Sequence, residues 1–447
     1  MTHDEQSRRE FLQRALLAGT AVAAPAVFSQ PSKAAAPKRG SKLNLGVIGV
    51  AGRGGANLNG VSGENIVALC DIDRRRLKAA AARFPKAKTY EDYRDVFRHD
   101  LDGVVVSTPD HMHAFPVVEA LKRKLNVYCE KPLTHSISEA RLISRLTAKN
   151  KAVTQMGNQI HNHPSQNYRR AVEIVQAGLL GAVKRVHVWQ GGGINWQNGV
   201  KRGVRLRKVK SVPPKYVSYD RWLGPAPYRP YHISHFHFNW RYWWDFGGGQ
   251  LADFICHYMD LPYWALDLRY PQTVVAVGKK GHDGDNDCPN FMKVDYRFTE
   301  RGKLPPVHVT WYHGGWKPKG AEVYKKSSAV LFEGSGGRLL VDYTSRKLFL
   351  ASDETPKLPK PSIPDSKGHH REWLDAVRAG NPNTTCNFQY GALITECGHL
   401  GNLSYRLGQK KFDWDAANTK AVGVSGAEAI IKRPYRKGWK LAVDESG

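Results

Sequence analysis

The segment that most constrains this chain is Leu43-Asn44-Leu45-Gly46-Val47-Ile48-Gly49, an apolar strand that runs directly into Gly49-Val50-Ala51-Gly52-Arg53-Gly54-Gly55. A strand followed by a glycine-rich turn that opens a helix brings backbone N–H groups and a helix N-terminus together, and that cradle suits a pyrophosphate. Asn65–Asp71 reads as a second strand ending on an acid, about 20 residues on, where a carboxylate can take ribose hydroxyls. Ala51 stands where the second glycine of the usual fingerprint would fall. Asp71 would repel a 2′-phosphate and favours NAD, while Arg74-Arg75-Arg76 could accept that phosphate and keeps NADP open.

Further strands follow at Asp102–Thr108 and Asn126–Glu130, with helical segments Asp73–Phe84 and Ala114–Arg123 between them. Short continuous apolar strands alternating with helices indicate βαβ units and a parallel sheet buried on both faces. Residues 42–157 therefore read as a Rossmann dinucleotide-binding domain. Beyond them the period changes to two, at Ala182–Gln190, Gln272–Lys279, Asn290–Thr299, Val307–His313 and Ala329–Tyr343. Val307, Val309 and Trp311 face one way, and His308, Thr310 and Tyr312 face the other, wetter way. Helical stretches lie at Pro164–Ala177, Gly249–Leu266, His370–Ala379 and Tyr390–Leu407. The fold class is α/β: an N-terminal Rossmann domain, then an α+β domain over 158–447 with a large, open, mainly antiparallel sheet.

The chain has 447 residues and a formal charge of +27. Such a balance admits an anionic partner, an anionic glycan among them. The charges are scattered, and no zinc-finger spacing, recognition helix or RNA-binding aromatic motif accompanies them, which argues against nucleic acid. The densest run, Lys201, Arg202, Arg205, Arg207, Lys208, Lys210 and Lys215, reads as an exposed loop. No uncharged apolar run reaches the roughly 20 residues of a spanning helix, so no integral membrane segment is expected in the mature chain. The six cysteines form no C-x-x-C pair and read as buried small hydrophobes. Ser7-Arg8-Arg9-Glu10-Phe11-Leu12, before the uncharged stretch Ala15–Ser32, reads as a twin-arginine signal. Residues 1–36 are thus an expected signal peptide and 37–41 a linker. The expected partner is the twin-arginine export machinery, and the expected location is periplasmic or otherwise exported. That route carries folded proteins, often with a cofactor already in place, which hints at a tightly bound one.

Glu130-Lys131-Pro132 lies at the carboxyl end of an expected parallel strand, where ligands bind in open α/β sheets. Asp253 and His257 are four apart and share one face of a helix, with Gly247-Gly248-Gly249 just before them. In order, Gly49–Gly55, Asp71, Ser107-Thr108-Pro109-Asp110-His111, Glu130-Lys131-Pro132 and Asp253-x-x-x-His257 resemble the glucose–fructose oxidoreductase/inositol dehydrogenase (Gfo/Idh/MocA) family of NAD(P)-dependent oxidoreductases. The likeness extends to Asp413-Trp414-Asp415 and Arg433-Pro434-Tyr435-Arg436. It implies a homodimer or homotetramer built through the second domain's sheet, and a cis bond before Pro132. It implies cofactor contacts from Gly49, Ala51, Gly52, Arg53, Gly54, Asp71 and Arg74, then from Ser107, Thr108, Pro109, His111, Glu130, Lys131, Pro132 and Asn158. By the same resemblance His257 is the general acid/base, Lys131 orients and polarises a hydroxyl, and Asp253 positions both.

Residues 216–244 carry eleven aromatics where about three would be expected from average usage. With His235, His237, Arg241 and Trp243 among them, they could wall a sugar pocket or form an interdomain core. The pairs His111/His113, His161/His163 and His235/His237 invite a metal, but no carboxylate spacing supports one and hydride transfer needs none. The reading is an exported oxidoreductase with tightly held NAD that acts on a secondary alcohol or ketone of a sugar, polyol or glycoside. Its rivals are a redox-neutral glycosidase or lyase that oxidises a ring carbon transiently, and a non-catalytic glycan-binding protein.

Overall fold

The computed structural model describes residues 41–191, 212–232, 236–281, 285–351 and 356–441. The expected signal peptide, the linker before Ser41, His235 and the basic run from Lys201 to Lys210 lie outside the described residues.

The first apolar runs become β1 (Asn44–Ile48), β2 (Asn65–Cys70), β3 (Lys88–Tyr90), β4 (Gly103–Val106), β5 (Asn126–Glu130) and β6 (Thr154–Gly157). They form one parallel sheet in the order β3-β2-β1-β4-β5-β6. The order reverses between β1 and β4, so the crevice beyond the carboxyl ends of these two strands is where this architecture takes a ligand. All four residues of β4 are buried, as a strand covered on both faces must be. Helices Ala114–Lys122 and Ile137–Asn150 cover one face. The other is covered by helices Arg53–Gly60 and Arg74–Arg83, and by His369–Ala379 from far along the chain. Trp373 of that last helix is fully buried and donates through Nε1 to the Val153 carbonyl at 3.2 Å. Truncating a buried tryptophan to alanine typically costs about 3–5 kcal/mol, so this returning helix is part of the first domain's core. The edge strands β3 and β6 are too short to show a period and were not expected from sequence.

The second sheet has nine strands: β7 (Val183–Gln190), β8 (Thr273–Lys279), β9 (Phe291–Phe298), β10 (Val307–His313), β11 (Ala329–Gly334), β12 (Gly337–Val341), β13 (Arg346–Leu350), β14 (Phe412–Asp415) and β15 (Lys420–Val422). Their order is β13-β12-β11-β7-β10-β9-β8-β14-β15. Every pair is antiparallel except β7 with β10. Ala329–Tyr343, expected as one strand, is a hairpin that turns at Ser335-Gly336. Gly249–Leu266, expected as one helix, is two: Gly249–Tyr258 and Asp260–Ala265. Pro262 lacks an amide hydrogen and is accommodated in the first turn of the second. The expected wetter face is half covered: Tyr312 packs in a small cluster with Trp189, Leu331 and Leu340, while His308 pairs with Asp295 at 2.8 Å.

The aromatic segment forms its own cluster from Val217 to Phe246. The Ser218 N–H donates to the Ile72 carbonyl and the Arg74 N–H to the Tyr216 carbonyl, each at 2.9 Å, which fastens the cluster to the end of β2. All six cysteines are buried.

Candidate active site

Gly49 ends β1 with φ +86, and Gly52 caps helix Arg53–Gly60 with φ +58, backbone that residues with a side chain seldom adopt. A Cβ on Gly54 would stand 2.1 Å from the Gly49 carbonyl oxygen, so the first helical turn packs directly on the strand end. Nothing lies within 4 Å of the Cβ position of Gly52, which leaves the helix N-terminus open. Asp71 accepts the Val50 and Asp73 N–H groups, each at 3.0 Å. Burial pushes its carboxyl up, and those two bonds pull it back. An open turn, a free helix N-terminus and an acid at the next strand end fit a dinucleotide. Gly49, Ala51, Gly52, Arg53 and Asp71 line one continuous cavity of about 690 Å³, and Ser107, Thr108, Pro109 and Glu130 continue it.

Opposite this cradle stands a cluster of charge. Lys131 precedes a cis bond to Pro132. Its Nζ donates to the Asp253 carbonyl at 2.5 Å and to Asp253 Oδ1 at 2.6 Å. Arg241 Nε donates to the same Oδ1 at 3.1 Å, with its guanidinium 4.4 Å from the Phe238 ring and 4.2 Å from the Trp240 ring. Burial alone would raise the Asp253 carboxyl, but Lys131 and Arg241 outweigh it and hold the group well below the usual carboxylate range. An ammonium has three N–H donors, and Asp253 occupies two, leaving one for a ligand oxygen.

His257 follows one helical turn after Asp253. Asn158 Nδ2 donates to the Cys256 carbonyl at 2.5 Å, which turns Asn158 Oδ1 toward His257 Nδ1 at 2.9 Å. That oxygen can only accept, so Nδ1 carries the proton and Nε2 is the basic nitrogen. Burial drops the imidazole to about 3, with Lys131 adding to the drop, so it is neutral at pH 7 with Nε2 unprotonated. Lys131, Asp253, His257, Arg241 and His237 all line the same cavity as the cradle.

Other expected contacts lie elsewhere. Trp243 is fully buried in the aromatic cluster rather than on a sugar wall; Trp222, Phe238 and Trp240 reach the cavity instead. His111 is buried, bonds the Trp222 carbonyl through Nε2 at 2.8 Å and packs on Trp222 and Phe246. Arg74 points outward to the Lys215 carbonyl and to Glu91, and Arg76 lines the cavity in its place. Asn158 stands behind His257, and the Pro132 carbonyl is engaged by His113 Nδ1 at 2.8 Å. Gly54 lies under the cradle, not on its surface.

Asp110, within the Ser107–His111 string, carries no role in the resemblance but stands in the site. It is 4% exposed and lines the cavity. Burial pushes its carboxyl up to about 8; Arg241 and Lys131 lower it and Asp253 raises it. Its place just beyond β4, the same kind of position that singled out Lys131, was the available signal. Among the described residues, no group of three His, Cys, Asp or Glu side chains is arranged to hold a metal ion. His161 instead bonds Asp260 at 2.9 Å.

Residues 43–158 match the oxidoreductase-family NAD-binding Rossmann fold, and residues 165–441 match the C-terminal alpha/beta domain of the same family. The chain belongs to the Gfo/Idh/MocA oxidoreductase family, and its first domain is an NAD-binding one. An inositol 2-dehydrogenase of Rubrobacter xylanophilus is 32% identical over 33% of this chain and 44% of its own length. A glycosyl hydrolase family 109 protein of Solibacter usitatus is 33% identical over 40% of this chain and 44% of its own. The matches therefore span under half the length of these curated relatives. Among solved structures, levoglucosan dehydrogenase with NADH and levoglucosan superposes with a TM-score of 0.60 at 16% identity, over 83% of this chain and 99% of that one. The WlbA dehydrogenase of Bordetella pertussis, with NADH and UDP-GlcNAcA, superposes at 0.59 and 15%, over 84% and 99%. At these identities the likeness is one of fold.

Proposed function

We propose that the protein is an oxidoreductase that moves hydride between tightly held NAD and the secondary alcohol carbon of a sugar or polyol, and that it works outside the cytoplasm after twin-arginine export. The observation that carries the reading is a neutral His257 with Nε2 as its basic nitrogen, beside an ion-paired Lys131, in a cavity continuous with the dinucleotide cradle. When bound, the nicotinamide supplies the hydride acceptor or donor. His257 Nε2 takes the hydroxyl proton as the carbon–oxygen bond becomes a carbonyl. The remaining Lys131 N–H donates to that oxygen and stabilises the negative charge that develops on it. Asp253 holds Lys131 in place through two hydrogen bonds, and Arg241 helps keep Asp253 ionised. The match to an inositol 2-dehydrogenase, a polyol enzyme by its name, supports the substrate class.

Asp110 favours a second reading at the same site, redox-neutral cleavage of a glycoside. A departing alcohol needs a proton, and a carboxyl still protonated at pH 7 can give one. The match to a glycosyl hydrolase family 109 protein points the same way. Protein purified without added nucleotide, then denatured and filtered, tests the first reading: near-stoichiometric NAD(H) is expected, and an empty filtrate with no uptake of added NAD contradicts it. Incubating the intact protein with glycosides then separates the two. Release of the free alcohol without added nucleotide selects cleavage, and carbonyl sugar with reduced nucleotide selects the oxidoreductase.

A further inference from the structure

We propose that the segment Arg433–Trp439 forms the adenosine end of the NAD site, with the Trp439 ring as the wall against which the adenine base packs. The pyrophosphate belongs at Gly52 and Arg53 and the ribose at Asp71, while Lys131 and His257 mark the nicotinamide end. The cavity also runs the other way, past Asp71 and Ile72 to Tyr93, Arg94, Met112 and Trp439. That wing is the space left for adenine, and its aromatic wall comes from the far end of the sequence.

The segment is built to stay there. Arg433 donates to Glu139 Oε1 through Nε and an NH2 at 3.0 and 2.9 Å, and to the His111 carbonyl at 2.6 Å. The Tyr435 hydroxyl donates to the same Glu139 oxygen at 3.0 Å. Glu139 Oε2 meanwhile accepts the N–H groups of His135 and Ser136 at the start of helix Ile137–Asn150, so the tail locks onto a capping box of the first domain. The Arg436 N–H donates to the Pro225 carbonyl at 2.9 Å, and its guanidinium to the Gly224 carbonyl at 3.0 Å. A turn closed by the Trp439 N–H on the Arg436 carbonyl at 3.0 Å then sends Trp439 back inward. Gly438 supplies the φ of +87 that the third position of such a turn requires. The indole packs edge-on against Phe115 at 5.2 Å and near-parallel to Tyr93 at 6.5 Å, with the Arg94 guanidinium 5.7 Å away. Arg94 is itself fixed by Asp92 at 2.9 and 2.6 Å. Base stacking on an aromatic ring in a fixed wall is sequence-tolerant and strong, and it explains how a cofactor could be retained through turnover.

The inference rests on this cavity being the dinucleotide site. The test uses the full chain stripped of nucleotide with charcoal and titrated calorimetrically with ADP-ribose and with nicotinamide mononucleotide. Trp439→Ala is expected to weaken ADP-ribose by about tenfold or more while leaving the mononucleotide within about twofold. Trp439→Phe should stay within about threefold for both, since the ring is kept. A chain ended after Lys437 keeps the Arg433 and Arg436 ties, and is expected to repeat the alanine result if that variant melts abnormally. Equal ADP-ribose affinity in wild type, Trp439→Ala and the shortened chain overturns the clamp alone. No binding of NAD or ADP-ribose to wild type overturns the cavity reading and the clamp with it.

Discussion

On the Rossmann side the cavity is walled by backbone: Gly49, Gly52 and the first turn of helix Arg53–Gly60 offer N–H groups and the absence of side chains. On the other side it is walled by charge, with Lys131, Asp253 and Arg241 converging from separate stretches of the chain beside a protonated Asp110 and a neutral His257. The backbone wall needs nothing larger than hydrogen at a few positions. The charged wall needs every partner, because removing one leaves another charge buried without compensation. Binding and chemistry are therefore expected to come apart under mutation.

The largest effect is expected on the charged wall. His257→Ala and Lys131→Ala should each lower turnover by roughly 10²–10⁴-fold with NAD still bound within a few-fold, read by steady-state kinetics and calorimetry. Loss of NAD binding in step with turnover would show that the walls are not separable. The converse substitution is Gly54→Ala, whose Cβ would press on the Gly49 carbonyl. Overpacking of about 1–3 kcal/mol should weaken NAD by roughly five- to 150-fold. Unchanged affinity would remove the glycine contact from the account.

Asp110→Asn sharpens the comparison through pH. In the folded protein the Asp110 carboxyl keeps its proton up to about 8, whereas in the unfolded chain it loses it near 4. Between those values the folded state binds the extra proton, so this group's contribution to stability declines as pH rises from about 4 to 8. The variant should gain on wild type across that window in thermal melts, and any activity limb near pH 8 should vanish; parallel pH profiles would contradict this. The smallest effect is expected at Arg74→Ala. Its guanidinium is 57% exposed and pairs with Glu91 at 3.6 Å, so NAD affinity should move by no more than about twofold. A tenfold loss would return Arg74 to the cofactor site.

The first domain was largely legible because its signals are local. The β1 strand, the glycine turn, Asp71 and the Lys131-Pro132 string each lie within a few residues, and β5 falls where expected at Asn126–Glu130. What escaped was set by distant partners. Trp243 and Trp222 read alike in an aromatic run, and only packing sends one into the core and the other to the cavity. Asn158 gave no hint that it would orient His257, ninety-nine positions away. Trp439 lies at the far end of the chain from the glycine loop whose cavity it shares. The hairpin in Ala329–Tyr343 was written in Gly334-Ser335-Gly336-Gly337, a turn signal overridden by the even alternation on either side.

The most direct test of the central claim is a single-turnover experiment on wild type and His257→Ala, each loaded with one NAD per chain, mixed with a panel of polyols and sugars and followed by nicotinamide absorbance. At least one substrate is expected to reduce the bound nucleotide in wild type, and His257→Ala, equally loaded, to do so at least about a hundredfold more slowly. Equal rates in the two proteins would contradict it.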